Sequence, residues 1–196
     1  MIGDIFRRSE RPMSLKRTLL FMFIPAAVKK ALLRELSEFT AYAFACAPPE
    51  IGELSYTEML VRYAEFSREE AEKAIEKGDG IGEIKQRLYE NARLLGQKFK
   101  ARYRLNTLKD AFGMARAIFR ILRIDFQGNP SGEIVVRRCF FSSRFSKEVC
   151  SIVSSFDEGL LAGLSGGAVL TSFERTADCS SCCRARFVFQ DTPDRK

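Results

Sequence analysis

The sequence predicts an α+β fold: a helical N-terminal layer packed on a small antiparallel sheet with one crossing helix. Three observations predict it. Apolar residues recur at helical spacing through most of the first 123 positions. A turn-rich stretch, Gln127 to Gly132, then leads into the β-branched run Ile134-Val135-Val136. One further helical segment separates that run from two short strand-like segments at the end of the chain.

The elements follow in order. Residues 1–13 read as a flexible polar leader, and residues 14–196 as a single domain. Its helical part covers 14–123, and its sheet and cysteine-bearing part covers 124–190. From Ser14 the pattern is helical. Pro25 suits the first turn of a new helix, because its missing N–H would have no helical partner there. That helix should reach about Ala45 and stop at Ala47-Pro48-Pro49. Two capping boxes follow. Ser55-x-x-Glu58 should open a short helix ending near Phe66, and Ser67-x-x-Glu70 another ending at Gly78. Ile81 to Arg102 carries the stripe Ile84, Leu88, Leu95 and Phe99. Thr107 opens a helix that turns Phe112, Ala115, Phe119 and Leu122 inward. After the strand ending at Cys139, Phe145 to Leu164 is helical and Gly166-Gly167 ends it. Ala168 to Thr176 and Arg184 to Phe189 are the closing strands.

The longest apolar run, Leu19 to Val28, is about half the ~18 residues that a membrane span needs. Lys29, Lys30 and Arg34 stand where a signal peptide would need small residues, so a reducing, cytoplasmic compartment is expected. The net charge of +7 is unevenly spread. Gly52 to Asp79 is acid-rich and Lys85 to Arg123 is basic. A solvated helix face paired internally with the acidic segment accounts for this better than a nucleic-acid partner. The amphipathic stretch Ser14 to Leu36 is expected to pack within the domain or in a homodimer, in preference to lying on a membrane surface.

The chain has no histidine, which excludes Ser-His-Asp and Cys-His catalysis and any histidine-containing metal site. Chemistry then falls to the cysteines. Cys179-x-x-Cys182-Cys183 is a turn whose sulfurs can converge, and Cys139 and Cys150 could complete an all-thiolate shell for zinc or an iron–sulfur cluster. The same residues could instead supply a nucleophilic thiolate near Arg137, Arg138, Arg175 and Arg184, with Asp157, Glu158 or Glu174 carrying protons. A third reading is ordinary packing of small hydrophobes. Cys46 stands apart. Phe141 and Phe173 are candidates to line an apolar ligand pocket. Phosphate-loop and dinucleotide motifs do not occur.

Taken together, Val136-Arg137-Arg138-Cys139, Cys150, Phe173-Glu174-Arg175-Thr176 and Cys183-Arg184-Ala185-Arg186-Phe187 resemble the L-2-amino-thiazoline-4-carboxylic acid hydrolase family. The same order is similar to 4-vinyl reductase-type small-molecule-binding domains. The resemblance covers residues 124–190. It departs from the family where Ser151 to Ser155 contains no acidic residue and where Asp178-Cys179-Ser180-Ser181-Cys182 replaces a tighter turn. It implies hydrolysis of a C–N bond in a cyclic amidine or thiazoline. Cys139, Cys150 and Cys183 would form the site, Asp157 or Glu174 would move protons, and Arg175 would bind a substrate carboxylate. The alternative it implies is a binding or sensor domain that holds a small molecule or a metal without turnover.

Overall fold

The computed structural model describes residues 24–78, 80–129, 131–174 and 182–189, the side chains of 168–174 and 189 excepted. The leader, the segment 14–23, Arg175 and Cys179 lie outside the described residues. The fold is α+β. Helix α1 (Ala26–Phe44) starts directly after Pro25, whose φ of −56° already suits a helix, and ends at Ala45 in the left-handed region. Helix α2 (Tyr56–Lys77) opens on the Ser55–Glu58 capping box and closes on Gly78, with φ of 71°. Helix α3 spans Ile81–Tyr103. Helix α4 (Leu108–Ile121) opens on a capping box made by Thr107 and Asp110.

One sequence expectation needs correction here. Ser67 does not cap a second helix, because α2 runs through it without a break. Its hydroxyl donates to the Tyr63 carbonyl one turn back, at 2.8 Å, and the residue is fully buried. The Ser-x-x-Glu spacing is therefore present, but the apolar stripe Met59, Leu60, Tyr63, Ala64, Phe66, Ala71 continues across it and keeps the helix intact.

The sheet has the order β1-β2-β4-β3 and every pairing is antiparallel: β1 (Ile124–Gly128), β2 (Glu133–Cys139), β3 (Ala168–Glu174) and β4 (Cys183–Phe189). Strand β1 was not anticipated from the sequence. Helix α5 (Lys147–Ser165) crosses between β2 and β3. Ile124, Phe126, Ile134 and Phe187 are buried on the inner face of the sheet, against Phe112 and Phe119 of α4 and Phe156 and Leu160 of α5. Phe119 stacks on Phe126 with ring centroids 4.8 Å apart, and Phe112 meets Phe187 edge-on at 5.6 Å.

The most extensive interface joins α3 and α5. Glycine makes it possible. A β-carbon at Gly159 would collide with the Tyr89 carbonyl oxygen, and one at Gly163 with the Arg93 carbonyl oxygen. One at Gly96 would strike the Leu160 carbonyl oxygen. The two backbones thus approach as only glycine allows, and α5 is held as a rigid support beneath the sheet. Among the described residues, no helix is long and apolar enough to cross a membrane.

Candidate functional site

Cys139 is the last residue of β2, and a β-bulge determines where it points. Ile124 registers with Cys139 and Phe126 with Val136, so two steps along β1 match three along β2. The extra residue falls at Arg137-Arg138, opposite Asp125. Simple alternation from Ile134 and Val136 would turn Arg138 inward and Cys139 outward. With the bulge, both arginines are exposed and Cys139 packs against the main core.

The chain then winds into a turn. The Ser142 N–H donates to the Cys139 carbonyl at 3.2 Å, and the Ser142 hydroxyl donates to the same oxygen at 2.8 Å. Arg144 fastens the turn from outside: its guanidinium donates to the Phe140 carbonyl at 2.7 Å and lies 3.8 Å over the Phe140 ring. This winding directs the Phe141 and Ser142 N–H groups at the Cys139 sulfur, which favours a thiolate. Burial outweighs them, and the charges of Asp157 and Cys183 act in the same direction as burial. The Cys139 thiol is pushed up to about 12 from its ordinary 9.0. It is therefore protonated at neutral pH.

Tyr63 of α2 forms the far wall. It is buried, its hydroxyl shares a hydrogen bond with Thr40 of α1 at 3.2 Å, and its ring meets Phe141 edge-on at 6.1 Å. Burial chiefly raises the Tyr63 pKa. The Thr40 bond opposes that rise and the Asp157 charge adds to it. The same carboxylate charge thus acts on both Tyr63 and Cys139. Phe140 and Phe145 extend the aromatic wall, with centroids 5.4 and 5.2 Å from Phe141.

Of the residues anticipated from the sequence, Asp157 and Cys183 act electrostatically on Cys139, and Phe141 follows it in the turn and meets Tyr63. Cys183 enters through the β2–β4 ladder, where it registers with Val136. Cys182 is buried beside it, and its sulfur accepts a hydrogen bond from the Arg184 side chain at 3.3 Å. Cys150 is half-buried on α5, on the same helical stripe as Ser154 and Asp157. Seven residues of rise put its Cα about 10 Å along the axis from that of Asp157. Glu174 ends β3 in register with Arg184, and Phe173 precedes it. Glu158 is half-buried on α5. Cys46 lies elsewhere, beside Glu70, with its sulfur 3.6 Å from the Ala41 carbonyl. Burial foremost, then Glu70, raises its pKa.

Among the described residues, no three cysteine or carboxylate side chains converge as a metal ion requires. A zinc or iron–sulfur centre would have to draw on Cys179 or other residues outside those described.

Two features lacked a motif. Thr40, Tyr63 and Ser67 come from helices remote in sequence, and their one local sign is a polar pair four residues apart on an apolar stripe. The second is a cleft of about 740 Å3 along β1. It is lined by Arg116, Arg120 and Arg123 of α4 and by Arg138 of β2. Comparison with family models, with curated proteins and with solved structures finds no match to this chain.

Proposed function

We propose that the chain is a small-molecule-binding domain of the kind its C-terminal third resembles. Its ligand would be seated where the end of β2 and the following turn face α5. The observation that carries this reading is the half-buried Cys139, turned against the core by the bulge and acted on by the Asp157 charge, with its thiol pKa raised foremost by burial. A protonated thiol is a poor resting nucleophile, and a metal would have to expel its proton before binding. It suits contact with an uncharged, polarisable part of a ligand. Tyr63, Phe140, Phe141 and Phe145 supply the apolar walls common in such sites. Asp157 supplies the negative charge that the N–H groups of a cyclic amidine would meet.

The second reading is hydrolysis of such a ring, and the same carboxylate favours it. Asp157 would accept the Cys139 proton, the sulfur would attack the amidine carbon, and the proton would pass to the ring nitrogen as its bond to that carbon breaks. The Phe141 and Ser142 N–H groups would hold the negative charge on the thiolate before it attacks. Water would then add to the same carbon, the bond from that carbon to the Cys139 sulfur would break, and one proton of the water would restore the thiol.

Titration of the protein with 2-amino-thiazoline-4-carboxylic acid, followed by calorimetry and by NMR of the ligand, separates the readings. Saturable binding with an intact ring supports the binding domain. Ring opening that is lost in Cys139→Ala supports the hydrolase. No binding, or binding unchanged in both Cys139→Ala and Asp157→Asn, overturns both.

A further inference from the structure

The cleft along β1 serves neither reading above. Strand β1 ends the sheet, and among the described residues no strand pairs with its outer side. An antiparallel edge strand directs alternate N–H and C=O groups away from the sheet, which makes it a template for another extended chain. The cleft is lined by the whole of this strand, from Ile124 through Gly128 to Asn129, and by Glu133, Val135 and Arg138 of β2.

The charge around it is one-sided. Arg116, Arg120 and Arg123 occur at i, i+4 and i+7, which places them on one exposed face of α4 beside the strand. Arg138 joins them from the bulge. Asp125 and Glu133 are the opposing carboxylates, and Glu133 already accepts a 2.7 Å hydrogen bond from the Asn129 amide. Arg123 is fixed in place: it donates to the Thr57 hydroxyl at 2.9 Å and lies 5.6 Å over the Tyr56 ring. These three α4 arginines flank the strand from a helix and do not project from it. Arginines projecting from the strand itself would instead blunt the edge.

We propose that this cleft is a docking site for an extended acidic segment of a partner protein, which adds to the sheet as a strand beside β1. Main-chain hydrogen bonds would give the affinity, and the arginines would select acidic side chains at the flanks. A nucleic acid could use the guanidinium groups but not the row of peptide N–H and C=O groups. A second copy of this chain paired through β1 would bring arginine against arginine.

The test is fluorescence anisotropy on the full chain with a labelled eight-residue peptide of alternating glutamate and threonine. Three controls accompany it: the same peptide with alternate backbone amides N-methylated, its lysine-for-glutamate counterpart, and a single-stranded RNA of matched charge. Saturable binding of the acidic peptide is expected. N-methylation should weaken it about tenfold or more, and so should the double substitution Arg116→Ala with Arg138→Ala. Both arginines are exposed, so circular dichroism and the thermal midpoint of that variant should match the parent. Equal binding of the N-methylated peptide would reduce the site to bulk charge and overturn strand addition. Tighter binding of the RNA, equal binding of the lysine peptide, a β1-mediated dimer that excludes the peptide, or no saturable binding would also overturn it.

Discussion

Cys139 stands opposite Ile124 in the β1–β2 ladder because an extra residue at Arg137-Arg138 shifts the register by one. The inward placement of Cys139 depends on that shift. Deleting Arg138 would remove the extra residue, restore plain alternation and leave Cys139 on the inner face opposite Ile124. The expected results are a stability change within roughly 1–3 kcal/mol in urea unfolding and alkylation of Cys139 that stays as slow as in the parent. Alkylation of Cys139 near the denatured rate in a folded deletion variant would mean that the bulge is not what keeps it inward.

Gly159 and Gly163 set how closely α5 lies on α3. Gly159→Ala places a methyl group where the Tyr89 carbonyl oxygen stands, and neither helix backbone can yield locally. A loss of roughly 1–3 kcal/mol is expected by chemical denaturation, with Gly163→Ala similar. Gly52→Ala serves as the control, because its surroundings are open. It should change stability by less than about 0.5 kcal/mol.

The two Ser-x-x-Glu sequences on α2 should respond differently. Ser55→Ala removes a working cap, whose hydroxyl receives the Glu58 N–H at 3.3 Å while the Glu58 carboxylate accepts the Ser55 N–H at 2.7 Å. A cost of about 1 kcal/mol is expected. Ser67→Ala removes only a bond to a helix carbonyl and should cost less than Ser55→Ala. The opposite ranking, read from urea midpoints, would indicate a helix boundary at Ser67.

Alkaline pH should destabilise the fold. Cys139 and Tyr63 both have raised pKa values, foremost through burial. A group whose folded pKa is raised contributes stability that is complete below its unfolded pKa and lost as pH climbs toward the folded one. For Cys139 that window runs from 9.0 to about 12. Urea midpoints should therefore fall as pH rises above 9, and the fall should be shallower in Cys139→Ala. Asp157→Asn should lower the Cys139 pKa while leaving it above 9.0, because burial is the larger cause.

The helices were legible because a 3.6-residue apolar period persists through each of them, and caps such as Thr107–Asp110 mark their starts. Strand β1 was not. It is five residues long with only Ile124 and Phe126 buried, and it borders turn residues that dominate the local signal. Ser67 misled because capping depends on where the backbone unwinds, and the stripe from Tyr63 to Ala71 does not allow it to unwind there. At the site, Cys139 was legible as a strand end, but its orientation was not, since a bulge has no side-chain signature in Arg137-Arg138. Tyr63 and Thr40 reach the site through tertiary packing alone. Their proximity to Asp157 could not be read along the chain.

Alkylation of Cys139 as a function of pH, mapped by peptide mass spectrometry on the native protein, is the most direct measurement of the protonated-thiol site. Below its pKa, a thiol's reactivity should climb about tenfold per pH unit as the thiolate fraction grows. For Cys139, slow labelling at pH 7 should be followed by a rise that continues beyond pH 10 without a plateau. In denatured protein the rise should level off near 9.0, the ordinary value. A plateau at or below pH 8 in the folded protein would show a resting thiolate at Cys139. That result would contradict the protonated site and return the residue to the role of activated nucleophile.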